Sequence, residues 1–367
     1  MSAPSMFHLV KELCERPGPI GHEQEYNEWL AERWRPFVAE ASVDRLGNFI
    51  ARVGGTGPRL NLIGHTDEIG FAVRAIDADG FIRVASNQRD PASRPFARGP
   101  YFLPLGHPML ILSETGPVEG IFATTTGHLL TPQQQEQFRL EWADVWIDIG
   151  AGSRAEVEEL GVQIGDRIIW NPPTRRRGPF FYGKAMDNRV ALAIFEAFLR
   201  ETAPDSFGCE LWITSTIQEE GGLVGAATVD QIVQADYAIA VDVGLVGDTP
   251  AVDSNWVTPR LGGGPIIVHK DLGSYTPTVR RMIEAAAATA GIPVQRAVYS
   301  LYGSDAGEMQ RQGVPSALLA FPGRYTHSPF EMVHEADLLA SVQLLHAVMA
   351  SPFWADAPRR PGQTTVG

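Results

Sequence analysis

The stretch "TSTIQEEGGLVGA" (214–226) sets Glu219 and Glu220 side by side where a strand-like run gives way to two glycines. Successive side chains of an extended chain point to opposite sides. Both carboxylates can therefore serve one cavity only if the backbone turns, and Gly221 and Gly222 allow a turn. A solvated loop would also accommodate the pair. In "GHTDE", His65 and Asp67 are two residues apart, on one side of an extended chain. There an imidazole binds a metal while the carboxylate orients it from behind; the alternative is a solvated histidine at a strand end. In "GKAMDNRVALA", Asp187 opens a helical pattern, either as its N-cap or as a ligand. Asp242 closes the apolar strand "AIAVDVG", where a charge needs a partner. His327 follows the strand "SALLAFP" through a short loop. His334 stands near a helix start, where a solvated position suits it.

Each signal is weak alone, and the set carries the reading. His65, Asp187, Glu219, Glu220, Asp242 and His327 all fall at expected strand ends or in loops after strands, where open α/β sheets place their sites. Two histidines with three carboxylates suit Zn, Co or Mn. One carboxylate shared between two ions, with a histidine and a carboxylate completing each, builds a two-metal site. Such sites hold their ions about 3.5–4 Å apart and activate a water between them. The remaining glutamate would take that water's proton and hand it to the leaving group. Other chemistries lack their residues. No GxSxG and no Walker A sequence occurs, and the glycines from Gly54 and from Gly262 lack the dinucleotide-binding spacing. Neither Cys14 nor Cys209 has the setting of a nucleophile.

The elements that must position these residues follow from periodicity. Two amphipathic helices are expected over roughly Phe7–Glu15 and Glu23–Phe37, then a hairpin in "VDRLGNFIARV" turning near Gly47 and Asn48. "RLNLIGHTDEIGFAV" reads as a buried strand, a loop and a second strand. From about Ala72 to Pro173 the texture is short strands with many Gly and Pro, and one helix at "SRAEVEELG". After "NPPTRRRGPF" helices and strands alternate: helices at "NRVALAIFEAFLR", "GLVGAATVDQI", "TPTVRRMIEAAAATAG" and "EADLLASVQLLHAVMA", strands at "CELWITSTI", "YAIAVDV", "PIIVHK", "PVQRAVYS" and "SALLAFP". Such alternation implies a largely parallel sheet with helices on both faces. The expected fold is α/β, with residues 1–69 and 179–367 forming one discontinuous domain and residues 70–178 an inserted β-rich domain. The tail "DAPRRPGQTTVG" is expected to be disordered.

Composition agrees. At ~150 residues per domain, 367 residues suggest two domains, and 44% hydrophobic residues can fill a large core. The net charge of −13 argues against nucleic acid or an anionic membrane as partner. Two cysteines without a CxxC point to a reducing compartment, and the N-terminus does not read as a secretion signal, so a cytoplasmic protein is expected.

At these residues the chain resembles the M42 family of metallo-aminopeptidases, which includes glutamyl aminopeptidases, large tetrahedral aminopeptidases and some members named endoglucanases. The resemblance rests on "GHTDEIGF", "VWIDIGAGSRAEVEELGVQIGD", "GKAMDNRV", "TIQEEGGLVGA", "AVDVGLVGDTP", "GSDAGEMQ" and "YTHSPFEMV", in family order from about residue 20 to 350. It implies that His65 and Asp242 bind one divalent ion, Glu220 and His327 the other, and Asp187 bridges them. Glu219 would be the general base and acid, with Asp67 supporting His65 from behind. It further implies a three-layer α/β/α sandwich catalytic domain interrupted by a small β-rich lid and dimerisation domain. The implied substrates are short peptides, cleaved at the N-terminal residue through a metal-bridging hydroxide, and the implied assembly is a homo-oligomer, up to a dodecamer built from dimers. Departures at Gly64, Thr66, Asn188 and Gly221 leave every ligand and the base in place. The competing functional classes are another metallohydrolase on the same site, such as an acyl-amino-acid deacylase or a carbohydrase, and a non-catalytic assembly protein.

Overall fold

The computed structural model describes residues 4–86, 105–137, 142–203, 206–250, 252–300 and 302–360. The chain opens with α1 (Met6–Glu15), capped by the Ser5 hydroxyl accepting from the His8 N–H, with Leu9, Val10 and Leu13 on its buried face. Next come α2 (Gln24–Trp34) and the hairpin β1 (Glu40–Val43) and β2 (Phe49–Gly54). The Asp44 carboxylate closes the hairpin turn by accepting from the N–H groups of Leu46, Gly47 and Asn48. The apolar run that follows forms β3 (Arg59–His65), buried from Leu60 to His65.

Six strands then close into a barrel: β4 (Phe71–Ile76), β5 (Ile82–Ser86), β6 (Pro108–Ser113), β7 (Gly116–Thr124), β8 (Val145–Asp148) and β9 (Arg167–Trp170), in the order β4-β5-β8-β7-β6-β9. Their inward residues, including Val73, Val84, Met109, Ile111, Phe122 and Ile147, make a core of their own. The expected helix at "SRAEVEELG" is α4 (Arg154–Glu159), and a short α3 (Pro132–Gln137) precedes it, which periodicity did not suggest because its run is almost all glutamine.

The chain returns through β10 (Arg175–Arg177) and β11 (Phe180–Gly183) to α5 (Met186–Glu201), β12 (Glu210–Thr216), α6 (Ala226–Val233) and β13 (Tyr237–Leu245). Then follow β14 (Ile266–Lys270), α7 (Pro277–Ala290), β15 (Gln295–Val298), α8 (Asp305–Arg311), β16 (Ser316–Arg324), β17 (Glu331–His334), α9 (Glu335–Met349) and α10 (Phe353–Asp356). Among the described residues these build an 11-stranded sheet running β1-β2-β12-β3-β13-β16-β17-β11-β10, with β14 and β15 branching from β16. The expectation of a largely parallel sheet needs correction. β12, β3, β13 and β16 are mutually parallel, but β1, β2, β17, β11 and β10 pair antiparallel. For β1–β2, β10–β11 and β16–β17 the physical reason is connection length, since strands joined by a few residues pair antiparallel; β2–β12 and β11–β17 are antiparallel although their strands lie far apart in the chain.

Helices pack against both faces. Leu60, Leu62, Ile239, Val241 and Leu319 join a core with α1, α2, α5, α7 and α9, while Ile63 and Ala238 turn to the other side to join Val229 and Val233 of α6 and Met309 of α8. α6 starts at Ala226 rather than Gly222, because residues 217–225 wind into a turn first, with Gly225 N–H bonded to Ile217 O. Residues 361–367 of the expected disordered tail lie outside the described residues. No helix among the described residues is long and apolar enough to cross a membrane.

Candidate metal centre

The four parallel strands end at one edge of the sheet, and that edge collects the chemistry. His65 is the last residue of β3 and pairs with Thr216, the last residue of β12. Three residues beyond Thr216 come Glu219 and Glu220. Asp242 lies within β13, next to β3, and His327 follows the end of β16. Asp187 arrives from across the sheet at the start of α5. It does not cap that helix. Its backbone is non-helical (φ −78°, ψ 104°), and its carboxylate points at the two imidazoles.

The spacing is that of a ligand cage. His65 Nε2 lies 3.1 Å from Asp187 Oδ1 and 4.0 Å from Asp242 Oδ1. His327 Nε2 lies 3.0 Å from Glu220 Oε1 and 3.3 Å from Asp187 Oδ2. The two oxygens of Asp187 thus face two different groups, His65 with Asp242 and His327 with Glu220, each group's ligand atoms within 4.8 Å of one another. Ligand bonds of about 2.0–2.1 Å in tetrahedral geometry set donor atoms roughly 3.4 Å apart, so both groups have room for a divalent ion. The donor chemistry fits too. Asp187, Glu219, Glu220 and Asp242 crowd two imidazoles in a largely buried site, a concentration of negative charge that cations would neutralise.

The electrostatics express that crowding. Burial, reinforced by the Asp187 charge, pushes Asp242 well above the usual carboxylate range. Burial together with Asp242, Asp305 and Glu220 does the same to Glu219, against the pull of His65. Burial would lower His65 and His327, but Asp187 with Asp67 for the first, and Glu220 with Asp187 for the second, hold both well above the ordinary histidine value. Asp187 is held well below its usual range, because the two imidazoles overcome its burial.

Second partners fix the ligands. His65 turns Nδ1 toward the Asp67 carbonyl (3.2 Å) and carboxylate (3.4 Å), which leaves Nε2 for the cage. The same Asp67 carboxylate accepts from the N–H groups of Glu219 (3.0 Å) and Glu220 (3.1 Å), so one buried side chain holds the β3 histidine and the paired glutamates together. The preceding N–H, that of Gln218, is taken by Glu23 (3.0 Å). The turn expected at Gly221 and Gly222 is made differently: left-handed backbone occurs at Gln218 (φ 49°), Gly222 (φ 119°) and Leu223 (φ 64°), and not at Gly221.

Every ligand candidate singled out from sequence reaches the cage, and Asp67 and Glu219 stand beside it. His334, as expected, stays outside and caps α9 by accepting from the Ala336 N–H. Several supports escaped sequence reasoning. Thr326 donates its hydroxyl to Asp187 Oδ2 (2.8 Å), and Tyr302 donates to the carbonyl of Val243 (2.5 Å), beside Asp242. Buried Lys184 pairs with Glu68 (2.6 Å), which also accepts from the Gly18 N–H. Buried Arg189 donates to the carbonyls of Leu13, Arg16, Gly18 and Thr66, tying α5 and the N-terminal segment to the loop after His65. The one signal in the sequence was a charge inside a helical pattern that should be buried, as at Arg189.

Comparison with known proteins bears on the family and the fold. The family profile described as M42 glutamyl aminopeptidase matches residues 47–87 and 101–344. The lysyl aminopeptidase of Pyrococcus furiosus is 28% identical over 349 residues, covering 94% of this chain and 96% of its own. A TET aminopeptidase from a marine sediment thaumarchaeote superposes with a TM-score of 0.86 at 29% identity, covering 94% of this chain and 96% of that one. The Pyrococcus horikoshii TET1 peptidase, described as able to assemble into a tetrahedron or a large octahedral shell, superposes with a TM-score of 0.81 at 26% identity, covering 94% and 99%.

Proposed function

Because this chain belongs to the M42 glutamyl aminopeptidase family, hydrolases that act on peptide bonds with the aid of divalent metal ions, we propose that it removes N-terminal residues from short peptides at a two-ion centre. His65 and Asp242 would hold one ion, Glu220 and His327 the other, and Asp187 both. The observation that carries this reading is the shared carboxylate: Asp187 offers one oxygen to each of two otherwise separate ligand groups. Bound ions would supply Lewis-acid polarisation of the scissile carbonyl and lower the pKa of the attacking water. Zn or Co suits the donor set best, and Mn is compatible.

The chain's own residues supply the rest. Glu219 is bound to neither ligand group, yet its backbone is fixed by Asp67 next to His65. We assign it the proton: it accepts one from the water and returns it to the departing amine. Burial and the neighbouring carboxylates push Glu219 upward, the direction that a carboxyl serving first as base and then as acid needs. Asp67 orients His65 and holds the turn that carries both glutamates.

At the level of architecture we read residues 1–69 and 179–367 as a three-layer α/β/α catalytic domain and residues 70–178 as an inserted lid and dimerisation domain. The separate barrel core supports that division, and contacts such as the ring pair His107–Phe330 (5.2 Å) set the barrel beside the His327 loop. Likeness to the TET1 peptidase supports a homo-oligomer, up to a dodecamer built from dimers. Two buried, unpaired cysteines support a reducing, cytoplasmic setting.

The test is a matched pair of peptide libraries, one with free N-termini and one acetylated, offered to the metal-loaded protein. Release of single amino acids from the free library alone is the expected result. Hydrolysis of the acetylated library, or of neither, would overturn the reading.

A further inference from the structure

We infer that Glu331 is a positioning residue of the metal centre, a single carboxylate that clamps the backbones of Asp187 and His327 together. The inference rests on the two-ion reading above. Glu331 Oε2 accepts from the Asp187 N–H at 2.9 Å, and Oε1 accepts from the His327 N–H at 2.8 Å. Those two amides are 140 residues apart in the chain and belong to different elements, yet they meet at one buried side chain.

Three features argue that this contact serves the site rather than the fold. Glu331 occupies an inward position of β17, where the burial pattern alternates and the next inward residue is Val333. An apolar side chain there would fill the core without desolvating a charge, and a buried carboxylate is costly unless its partners are specific. Next, both clamped segments carry left-handed backbone at non-glycine residues: Ala185 (φ 54°) two residues before Asp187, and His327 itself (φ 63°) with Tyr325 (φ 63°). Such conformations persist only where the surroundings determine them. Lastly, the clamp reaches only some ligands. Asp187 serves both ions and His327 one, whereas no hydrogen bond or ion pair among the described residues joins Glu331 to His65 or Asp242. Strand pairing of β11 with β17 sets Gly183 opposite Glu331, so the carboxylate's place is fixed by the sheet and does not depend on the ions.

The consequence is an asymmetric one. Loss of the clamp should weaken the ion held by Glu220 and His327 more than the ion held by His65 and Asp242, because the first site loses support at two ligands and the second at one. Glu331→Gln keeps the shape but turns one acceptor into a donor that faces an N–H.

The experiment titrates the metal-free full chain with Zn²⁺ against a chromophoric chelator, for wild type and Glu331→Gln, with Glu220→Gln marking which binding step belongs to the second site. We expect that step to weaken by about 10–100-fold in Glu331→Gln, the range typical of a ligand's supporting partner, and the other step to weaken less. kcat should fall while KM stays near the wild-type value. Equal weakening of both steps, or unchanged constants, overturns the inference while leaving two-ion binding in wild type intact. A wild-type chain that takes fewer than two ions overturns the two-ion reading and this inference with it. Should Glu331→Gln not fold, hydrogen exchange on metal-free wild type decides: the amides of Asp187 and His327 must both be protected, and fast exchange at either one refutes the clamp.

Discussion

Replacing Asp67 by asparagine strikes the point where two ligand-bearing loops are joined. The carboxylate receives the N–H groups of Glu219 at 3.0 Å and Glu220 at 3.1 Å, and sits 3.4 Å from His65 Nδ1. Asparagine keeps one oxygen, so one of the two N–H donors loses its acceptor and meets an amide N–H instead. A hydrogen bond to a charged group is worth about 1.5–3 kcal/mol, and the metal-free protein should therefore lose ~2 kcal/mol of stability. The loss of His65 orientation should weaken the ion shared by His65 and Asp242 by about 10–100-fold. A Glu219 displaced by on the order of 1 Å should cost roughly 100-fold in kcat. Denaturant unfolding of the metal-free chain, chelator competition with Zn²⁺, and turnover of an aminoacyl p-nitroanilide read the three effects separately. An Asp67→Asn variant with wild-type metal constants and wild-type kcat would show that the joint between the loops does not govern the site.

Glu219→Gln should keep about two ions per chain, since Glu219 belongs to neither ligand group, while turnover falls by about 10²–10⁴-fold; metal content that fell in step with activity would remove Glu219 from the role of base. In the metal-free chain His65, His327, Glu219 and Asp242 all titrate above their ordinary values, so the folded state holds more protons than the unfolded one, and stability must fall as pH rises through their folded values. Unfolding midpoints of the chelated protein should therefore drop as pH rises above the ordinary histidine value, and a midpoint that climbs instead would contradict the charge crowding. By the same linkage, Zn²⁺ binding must expel protons, a release visible in calorimetry across buffers of different ionisation enthalpy. Arg189→Met should destabilise the fold by at least ~2 kcal/mol, because the carbonyls of Arg16 and Thr66 lose their donor, those of Leu13 and Gly18 keeping the Tyr26 hydroxyl and the Glu68 N–H, and an unmatched buried acceptor costs about 1–3 kcal/mol; a loss below ~1 kcal/mol in urea unfolding would mean that other groups replace the guanidinium.

The sequence by itself determined which residues could do chemistry and which elements carry them. A histidine at the end of "RLNLIGH" and paired glutamates after "CELWITSTI" mark strand ends, since apolar runs of that length must be buried and charges must leave the core where the runs stop; Asp242, read as the close of "AIAVDV", lies instead inside a strand that continues to Leu245. The β-rich texture between β3 and β10 was legible locally too, in short strand-like runs broken by Gly and Pro. Only the tertiary structure decided what those residues share. Periodicity at Asp187 fits an N-cap as well as a site residue, and its placement fell to His65 and His327, 122 and 140 positions away, whose imidazoles flank its two oxygens. Likewise the bonds from the Gln218 N–H to Glu23, from the Glu219 N–H to Asp67 and from the Asp187 N–H to Glu331 carry no local mark, because the partners lie far apart along the chain. Strand ends are local in the sequence, whereas the edge on which four parallel strands finish together exists only once hydrogen bonding between β12, β3, β13 and β16 has set their register.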